Sequence, residues 1–354
     1  MVEWKKLGEV CAFNRGKTIT AKDAVDGDIP VIAGGQTPSY YHNEFNREGE
    51  SITVAGSGAY AGFVSYWNQP IFVSDAFTID PLKGLKHKYL FHWAKMNQEK
   101  IIATQKGAGV PHVHGKDIAN FLIPIPSLSE QSRIVSILDT FTSSISNLKQ
   151  QIEERRKQYE YERDLLLDLE GKEGVEMKKL GDFAEIGTGS SNTQDELESG
   201  RYPFFVRSQI VKWKDDYEFD EIAIITSGDG VGVGKVLHYY EGKYALHQRA
   251  YRIHVENDSI VPKFVFYFMQ KDFYWYIMSN AYAASVTSVR RPMLINYPIP
   301  IPPLSTQSRI VSILDTFEQS IANLEEQLAM REKQYEYYRN QLLTFEGEEE
   351  RGKT

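Results

Sequence analysis

The 354-residue chain has one cysteine, Cys11. That excludes an internal disulfide, leaves no Cys-x-x-Cys or Cys/His cluster for a structural metal, and fits a reducing compartment. No uninterrupted apolar run approaches the ~18 residues of a membrane span, and no charged-then-apolar leader opens the chain, so no membrane association and a cytoplasmic location are expected. Positive charge is also scarce. With 40 Lys+Arg against 48 Asp+Glu the net charge is -8, which at first sight argues against a nucleic-acid partner. Catalytic signatures are missing as well. There is no His-Glu-x-x-His, no Gly-x-Ser-x-Gly and no Asn/Asp-Pro-Pro-aromatic tetrapeptide, and Asn296-Tyr297-Pro298-Ile299 is not a match. The glycine-rich run from Gly228 to Lys235 fails as a phosphate loop. Asp229 stands where the first glycine belongs, and Val236 replaces the Ser or Thr after the lysine. A tight strand-to-strand turn accounts for it better.

What the chain does have is a duplication. Pro124–Gly171 returns 176 positions later as Pro300–Gly347, and Gln131–Phe141 is identical to Gln307–Phe317. Both copies space apolar or aromatic residues at alternating steps of four and three. The first set is Ile134, Leu138, Phe141, Ile145, Leu148, Ile152 and Tyr159, and the second is Ile310, Leu314, Phe317, Ile321, Leu324, Leu328 and Tyr335. That is a heptad seam. Ser129 and Ser305 are the expected N-caps, and Gly171 and Gly347 the expected stops. A helix of about 40 residues is roughly 60 Å long and acts as a spacer.

In a parallel, in-register pair Arg155 would face Arg331 across the seam, which is unfavourable. The short link Gly171-Lys172-Glu173-Gly174 also starts the second half near the far end of the first helix. An antiparallel coiled coil satisfies both constraints. The plainer alternative is that each helix packs only on its own globular domain.

The duplication extends to the globular parts, since Trp4-Lys5-Lys6-Leu7-Gly8 is matched by Met177-Lys178-Lys179-Leu180-Gly181. The expected organisation is a domain over 1–127, a helix over 128–171, a second domain over 172–303, a second helix over 304–347 and a charged tail over 348–354. Segment charges revise the first impression from net charge. Residues 1–127 carry 13 basic against 12 acidic side chains, 172–303 carry 15 against 17, and the helices and tail hold the remaining acidic excess. Between Lys83 and Lys116 there are seven lysines against Glu99 alone, which is a local basic patch.

Within the domains, short β-branched or aromatic runs alternate with glycine turns. They are Ile29–Ala33, Ser51–Val54, Gly62–Tyr66 and Ile71–Val73, then Tyr202–Val206, Glu221–Ile225, Gly234–Tyr239 and Tyr244–Leu246. Such runs predict small, mostly β units. Each domain adds one apolar-aromatic helix, at Lys88–Ala103 and Pro262–Met278, with Phe264, Phe268 and Trp275 as core candidates. A polar loop follows in each, Gln105–His114 and Ala281–Arg291. The fold class expected is α+β, with two tandem-duplicated, mostly β domains joined by two long helices in an antiparallel coiled coil. The helices are nearly identical while the domains differ at their polar positions, so a common clamp presents two different recognition surfaces.

The order of domain, Pro-Ile-Pro-(Ser/Pro)-Leu-Ser-x-Gln-x-x-Ile, long helix, second domain and second helix resembles the specificity subunit of type I restriction-modification systems over essentially the whole chain. The resemblance implies that each domain is a target-recognition domain reading one half of a split, asymmetric double-stranded DNA site. It implies that the coiled coil fixes the gap between half-sites and docks two modification (methyltransferase) subunits, with restriction motor subunits joining that core in defence against foreign DNA. S-adenosylmethionine, ATP and Mg then belong to partner subunits, and this chain holds no cofactor and no catalytic centre. Partner subunits would also supply part of the phosphate contact that a weakly acidic chain cannot. Two other readings are a recognition fragment of a fused methyltransferase-nuclease and a purely structural protein adaptor.

Side chains reaching base edges need donors and acceptors that match the major groove. On that ground the candidates are Gln36, Ser57, Lys106, His112 and His114 in the first domain. In the second they are Arg207, Gln209, Ser227, Arg249, Arg290 and Arg291.

Overall fold

A computed structural model describes residues 2–107, 109–280 and 288–345. The chain forms two compact units, Met1–Gln150 with Glu325–Thr354, and Gln151–Leu324.

In the first unit, Glu3–Lys6 pairs antiparallel with Leu122–Ile125, so the chain enters and leaves the domain side by side. A four-stranded antiparallel sheet has the order Cys11–Arg15, Ala76–Pro81, Glu50–Ala55, Val64–Asn68. A three-stranded sheet has the order Tyr40–His42, Ile29–Ile32, Phe72–Val73, with the last pair parallel. In the second unit, Glu176–Lys179 pairs with Pro298–Ile301 in the same way. Its six-stranded sheet runs Ala184–Thr188, Ala250–Val255, Phe219–Ser227, Leu237–Leu246, Tyr202–Phe205, Lys212–Lys214.

The two strand orders become identical once Val64–Asn68 and Phe72–Val73 are taken as one interrupted strand. The interruption contains Pro70, which has no N–H to continue the ladder. In the second unit the runs expected at Gly234–Tyr239 and Tyr244–Leu246 fuse into the single strand Leu237–Leu246. Gly242, at φ +119°, carries the chain through the join.

The helix expected at Lys88–Ala103 is two helices, His87–Met96 and Gln98–Ile102, broken at Asn97, whose side chain donates back to the Trp93 carbonyl at 3.0 Å. Pro262–Asn280 is continuous and starts on proline, which suits a first-turn position. It buries Phe264 and Phe268 in the core. Trp275 is not core: it is 68% exposed.

The long helices span Leu128–Leu166 and Leu304–Leu343. Their ends differ from those expected. Ser127 caps the first, its Oγ accepting from the Glu130 N–H at 3.3 Å, and Ser129 already lies inside the helix. Pro303 precedes the second and its carbonyl accepts from Thr306 and Gln307, so Ser305 is likewise internal. The first helix stops five residues before Gly171, because Leu167 and Leu169 turn into the core of the second unit. Gly171 nevertheless has positive φ, at +72°. Gly347 and the tail lie outside the described residues.

Within each unit the helices run antiparallel. In the first, Phe141 stacks on Tyr338 with centroids 5.2 Å apart, Arg331 lies 5.7 Å over Phe141, and Lys149 pairs with Glu332 at 2.9 Å. In the second, Tyr159 packs against Phe317 and Arg155 lies 5.8 Å over Phe317. The 176-residue offset exchanges the two arginine contacts, so each arginine rests on an aromatic face instead of on its counterpart. Of the seam residues, Ile134, Leu138, Ile152, Ile310 and Leu314 are buried, while Phe141, Ile145, Leu148, Tyr159, Phe317, Ile321, Leu324, Leu328 and Tyr335 are half-buried. Ile134 and Leu138 join the core of the first domain, and Ile310 and Leu314 that of the second. Each helix therefore docks on its own domain and also on the other helix.

Polar contacts repeat this docking. Asp139 takes Lys88 at 2.6 Å and His92 at 3.1 Å, and Asp315 takes Lys263 at 2.7 Å and the Tyr267 hydroxyl. The identical stretch Gln131–Phe141 and Gln307–Phe317 thus seats the same helix turn on two domains. Among the described residues, no helix is long and apolar enough to cross a membrane.

Candidate nucleic-acid interface

In the first unit, four loops meet at one place. Gly56 donates its N–H to the Asp75 carbonyl at 3.1 Å, and its own carbonyl accepts from Val113 at 3.0 Å. Ser57 and Lys106 both form backbone bridges to His112. A Cβ on Gly34 would fall 2.4 Å from the Ser57 carbonyl, so only glycine lets the turn before Gln36 approach. The Ser57 hydroxyl donates to Asp75 Oδ2, and the rings of His112 and His114 are parallel to within 8° at 6.2 Å. A cleft of about 460 Å³ opens beside them, lined by Arg15, Asp75, His112, His114 and Lys116.

The structure therefore brings together Ser57, Lys106, His112 and His114. Gln36 is exposed in the neighbouring turn. The Lys106 ammonium is paired with Asp117, and that hydrogen bond holds the Asp117 carboxyl below the usual range. The lysine run from Lys83 to Lys116 is accordingly less of a free basic patch than its sequence indicates. Lys88 is bound to Asp139, and Lys95 packs over Phe63, its pKa lowered by burial and then by Arg339 to about 8.

The second unit builds the same cluster from different side chains. Gly228 donates to the Arg249 carbonyl at 2.9 Å and accepts from Val289 at 2.8 Å, while Asp229 forms the bridge to Ser288. Ser57 and Asp229 thus occupy one framework position, and Asp75 and Arg249 another. Asp229 takes Arg207 at 2.6 Å on Oδ1 and Arg249 at 3.2 Å on Oδ2. Burial works to raise the Asp229 pKa, but the two guanidiniums overcome it and hold the carboxyl below its ordinary value. His247 beside them is lowered by burial and then by Arg207. A cleft of about 300 Å³ is lined by Thr193, Arg207, Ser208, Asp229 and Val231.

Of the candidates here, Arg207 and Arg249 converge on Asp229. Ser227 is buried and donates to the Asp229 carbonyl at 2.7 Å, which gives it a framework contact. Gln209 donates to the Leu237 carbonyl at 3.4 Å. Arg290 is exposed one residue beyond Val289. Arg291 is also exposed and helps, after the larger effect of Arg252, to hold Glu185 below the carboxylate range. Positions 281–287 of the polar loop lie outside the described residues.

Asp75, Asp229, Arg15 and Lys116 were not singled out from the sequence. The sequence candidates are donor-bearing loop side chains and include no carboxylate, although the alignment of Gly56-Ser57 with Gly228-Asp229 marks the position. Among the described residues, no group of three His, Cys, Asp or Glu is placed to hold a metal ion.

Two copies of one framework with divergent loop side chains define a protein that presents two recognition surfaces. The chain belongs to the family described as type I restriction modification DNA specificity domain, which it matches twice, over residues 1–155 and 172–330. It is a type I restriction-modification specificity subunit, a non-catalytic component of such systems. A Haemophilus influenzae protein provisionally named a type I restriction enzyme specificity subunit is 28% identical, covering 97% of this chain and 96% of its own length. A type I restriction enzyme specificity subunit of Escherichia coli is 27% identical, with 97% and 94% covered. The crystal structure of a type I S subunit from M. genitalium shares the fold, with a TM-score of 0.73 at 18% identity over 97% of each chain.

Proposed function

We propose that this chain reads a two-part DNA site for its complex, each unit recognising one half through its loop cluster. The observation that carries the reading is the matching backbone hydrogen-bond pattern of two frameworks, Gly56-Ser57 with Asp75 and Gly228-Asp229 with Arg249, whose side chains differ in chemistry. Side chains on such loops discriminate base pairs through donor and acceptor patterns, while neighbouring cations hold phosphates.

The long helices are the proposed docking surface for two methyltransferase subunits and the element that sets the unread gap between half-sites. Restriction motor subunits join that assembly. S-adenosylmethionine, ATP and Mg are bound by those partners, and the complex works in the cytoplasm. The net charge of -8 fits a chain that meets the DNA backbone only together with partners.

The test is reconstitution with the modification subunits. The chain alone transfers no methyl group, and its addition confers methylation at a bipartite target. Methylation of the same target by the modification subunits without this chain would overturn the reading.

A further inference from the structure

The hydrogen bond between the two equivalent loop positions runs in opposite directions in the two units. In the first, Ser57 donates to Asp75; in the second, Arg249 donates to Asp229. We infer that the units read bases of opposite hydrogen-bonding sense. Asp75 accepts from the exocyclic amino group of an adenine or cytosine, and Arg249, steadied by Asp229, donates to the acceptor edge of a guanine. The inference rests on the DNA-reading role proposed above and names its chemistry.

Exposure selects the residues. Asp75 is exposed, and with Oδ2 engaged by Ser57 its Oδ1 is turned to no other partner among the described residues. In the second unit the Arg249 side chain is 62% exposed against 38% for Arg207 and 25% for Asp229. Arg249 is thus the member that reaches outward, while Asp229 is a positioning residue. Asp229 accepts from one nitrogen of each guanidinium, which anchors Arg249 through Nη1 and leaves its remaining donors for a fork on guanine O6 and N7.

A carboxylate facing DNA would ordinarily be repelled by phosphates. The cleft around Asp75 answers that objection, because its other polar walls are Arg15, Lys116, His112 and His114. Arg15 and Lys116 suit the backbone on either side and leave Asp75 to the base. The second unit replaces this single acid among cations by two arginines around one acid.

The experiment uses the complex reconstituted with modification subunits and a randomised duplex library, with methylated sites read by sequencing. Asp75→Leu is expected to relax one position in one half-site, and Arg249→Gln one G·C position in the other, each by roughly five- to hundred-fold. Thermal melting checks that both variants fold, and Asp229→Asn is a second probe that weakens the guanine position without removing the arginine. Base analogues then assign the atoms. Removing the amino group at the first position, or guanine N7 at the second, is expected to penalise the wild type and leave the matching variant unaffected. Preference untouched by either variant, or analogue and variant losses that multiply, would overturn the inference while leaving the proposed function standing. A wild-type complex with no sequence preference would remove both.

Discussion

Gln131 Oε1 accepts the backbone N–H of Lys86 at 2.9 Å, and its Nε2 donates to the carbonyls of Gly84 and Pro126 at 2.9 and 3.0 Å. Gln307 repeats this with Val261, Ser259 and Pro302, at 2.8, 3.1 and 2.9 Å. Each glutamine is fully buried and ties the first turn of a long helix to the start of its domain's own helix.

Gln131→Ala leaves a buried N–H and two carbonyls without their partner, so a loss of about 2–3 kcal/mol is expected in urea unfolding of the first unit. Gln307→Ala should do the same in the second. A loss below about 0.5 kcal/mol, the range of ordinary surface changes, would show that water replaces the amide.

Asp139 predicts a pH dependence. Burial opposes its ionisation, but His92 and Lys88 outweigh that and lower its pKa below the carboxylate value. In the acid range the unfolded chain therefore binds the proton more readily than the native one, and stability rises with pH there. The contribution is complete above the unfolded value near 3.9 and is lost as pH falls through the lower native value. Asp139→Asn should be less stable than wild type at pH 7, with the gap closing below about pH 4. A gap that stays constant to pH 2 would remove the carboxylate from the junction's energetics.

The two arginines at the exit of the second domain should separate. Arg290→Ala is expected to weaken binding of the assembled complex to its site by about 1–3 kcal/mol. Arg291→Ala should have the smaller effect, because Arg290 follows Val289 at the framework position that His114 takes after Val113. Equal losses in filter binding at two salt concentrations would place both on phosphates.

Helix length is open to the same kind of test. Because Arg155 lies on Phe317 and Arg331 on Phe141, heptads that face each other enter between Ile152 and Glu153 and between Gln319 and Ser320, all within the second unit. One heptad in each adds about 10 Å, equivalent to about three base pairs. The lengthened chain is expected to select a longer spacer or to lose its site, with both half-sequences retained. Full methylation at the original spacing would show that another subunit is the ruler.

The duplication and the seam were legible because heptad spacing and literal repetition are one-dimensional signals. The antiparallel sense followed from Arg155 and Arg331, whose charges disfavour a parallel pair, and from the short Gly171–Gly174 link. Strand pairing was not legible. Cys11–Arg15 and Ala184–Thr188 are sheet-edge strands whose sequences show little alternation. Trp275 looked like core together with Phe264 and Phe268 on an apolar-aromatic helix, yet those two are buried and Trp275 is exposed. The loop cluster was half legible: its donors were named, but the carboxylates they meet, Asp75 for Ser57 and Asp229 for Arg207 and Arg249, come from separate loops, and nothing in their local sequence shows that.

The paired end strands, Glu3–Lys6 with Leu122–Ile125 and Glu176–Lys179 with Pro298–Ile301, give each domain a neck where entry and exit share one ladder. Changes in the loops beyond that neck that spare the residues seated on the helix, such as Gly84, Lys86, Lys88 and His92, leave the chain re-entering the helix at the same point. Each domain is thereby a closed excursion from the helical frame, so loop chemistry can vary without passing displacement to the helices.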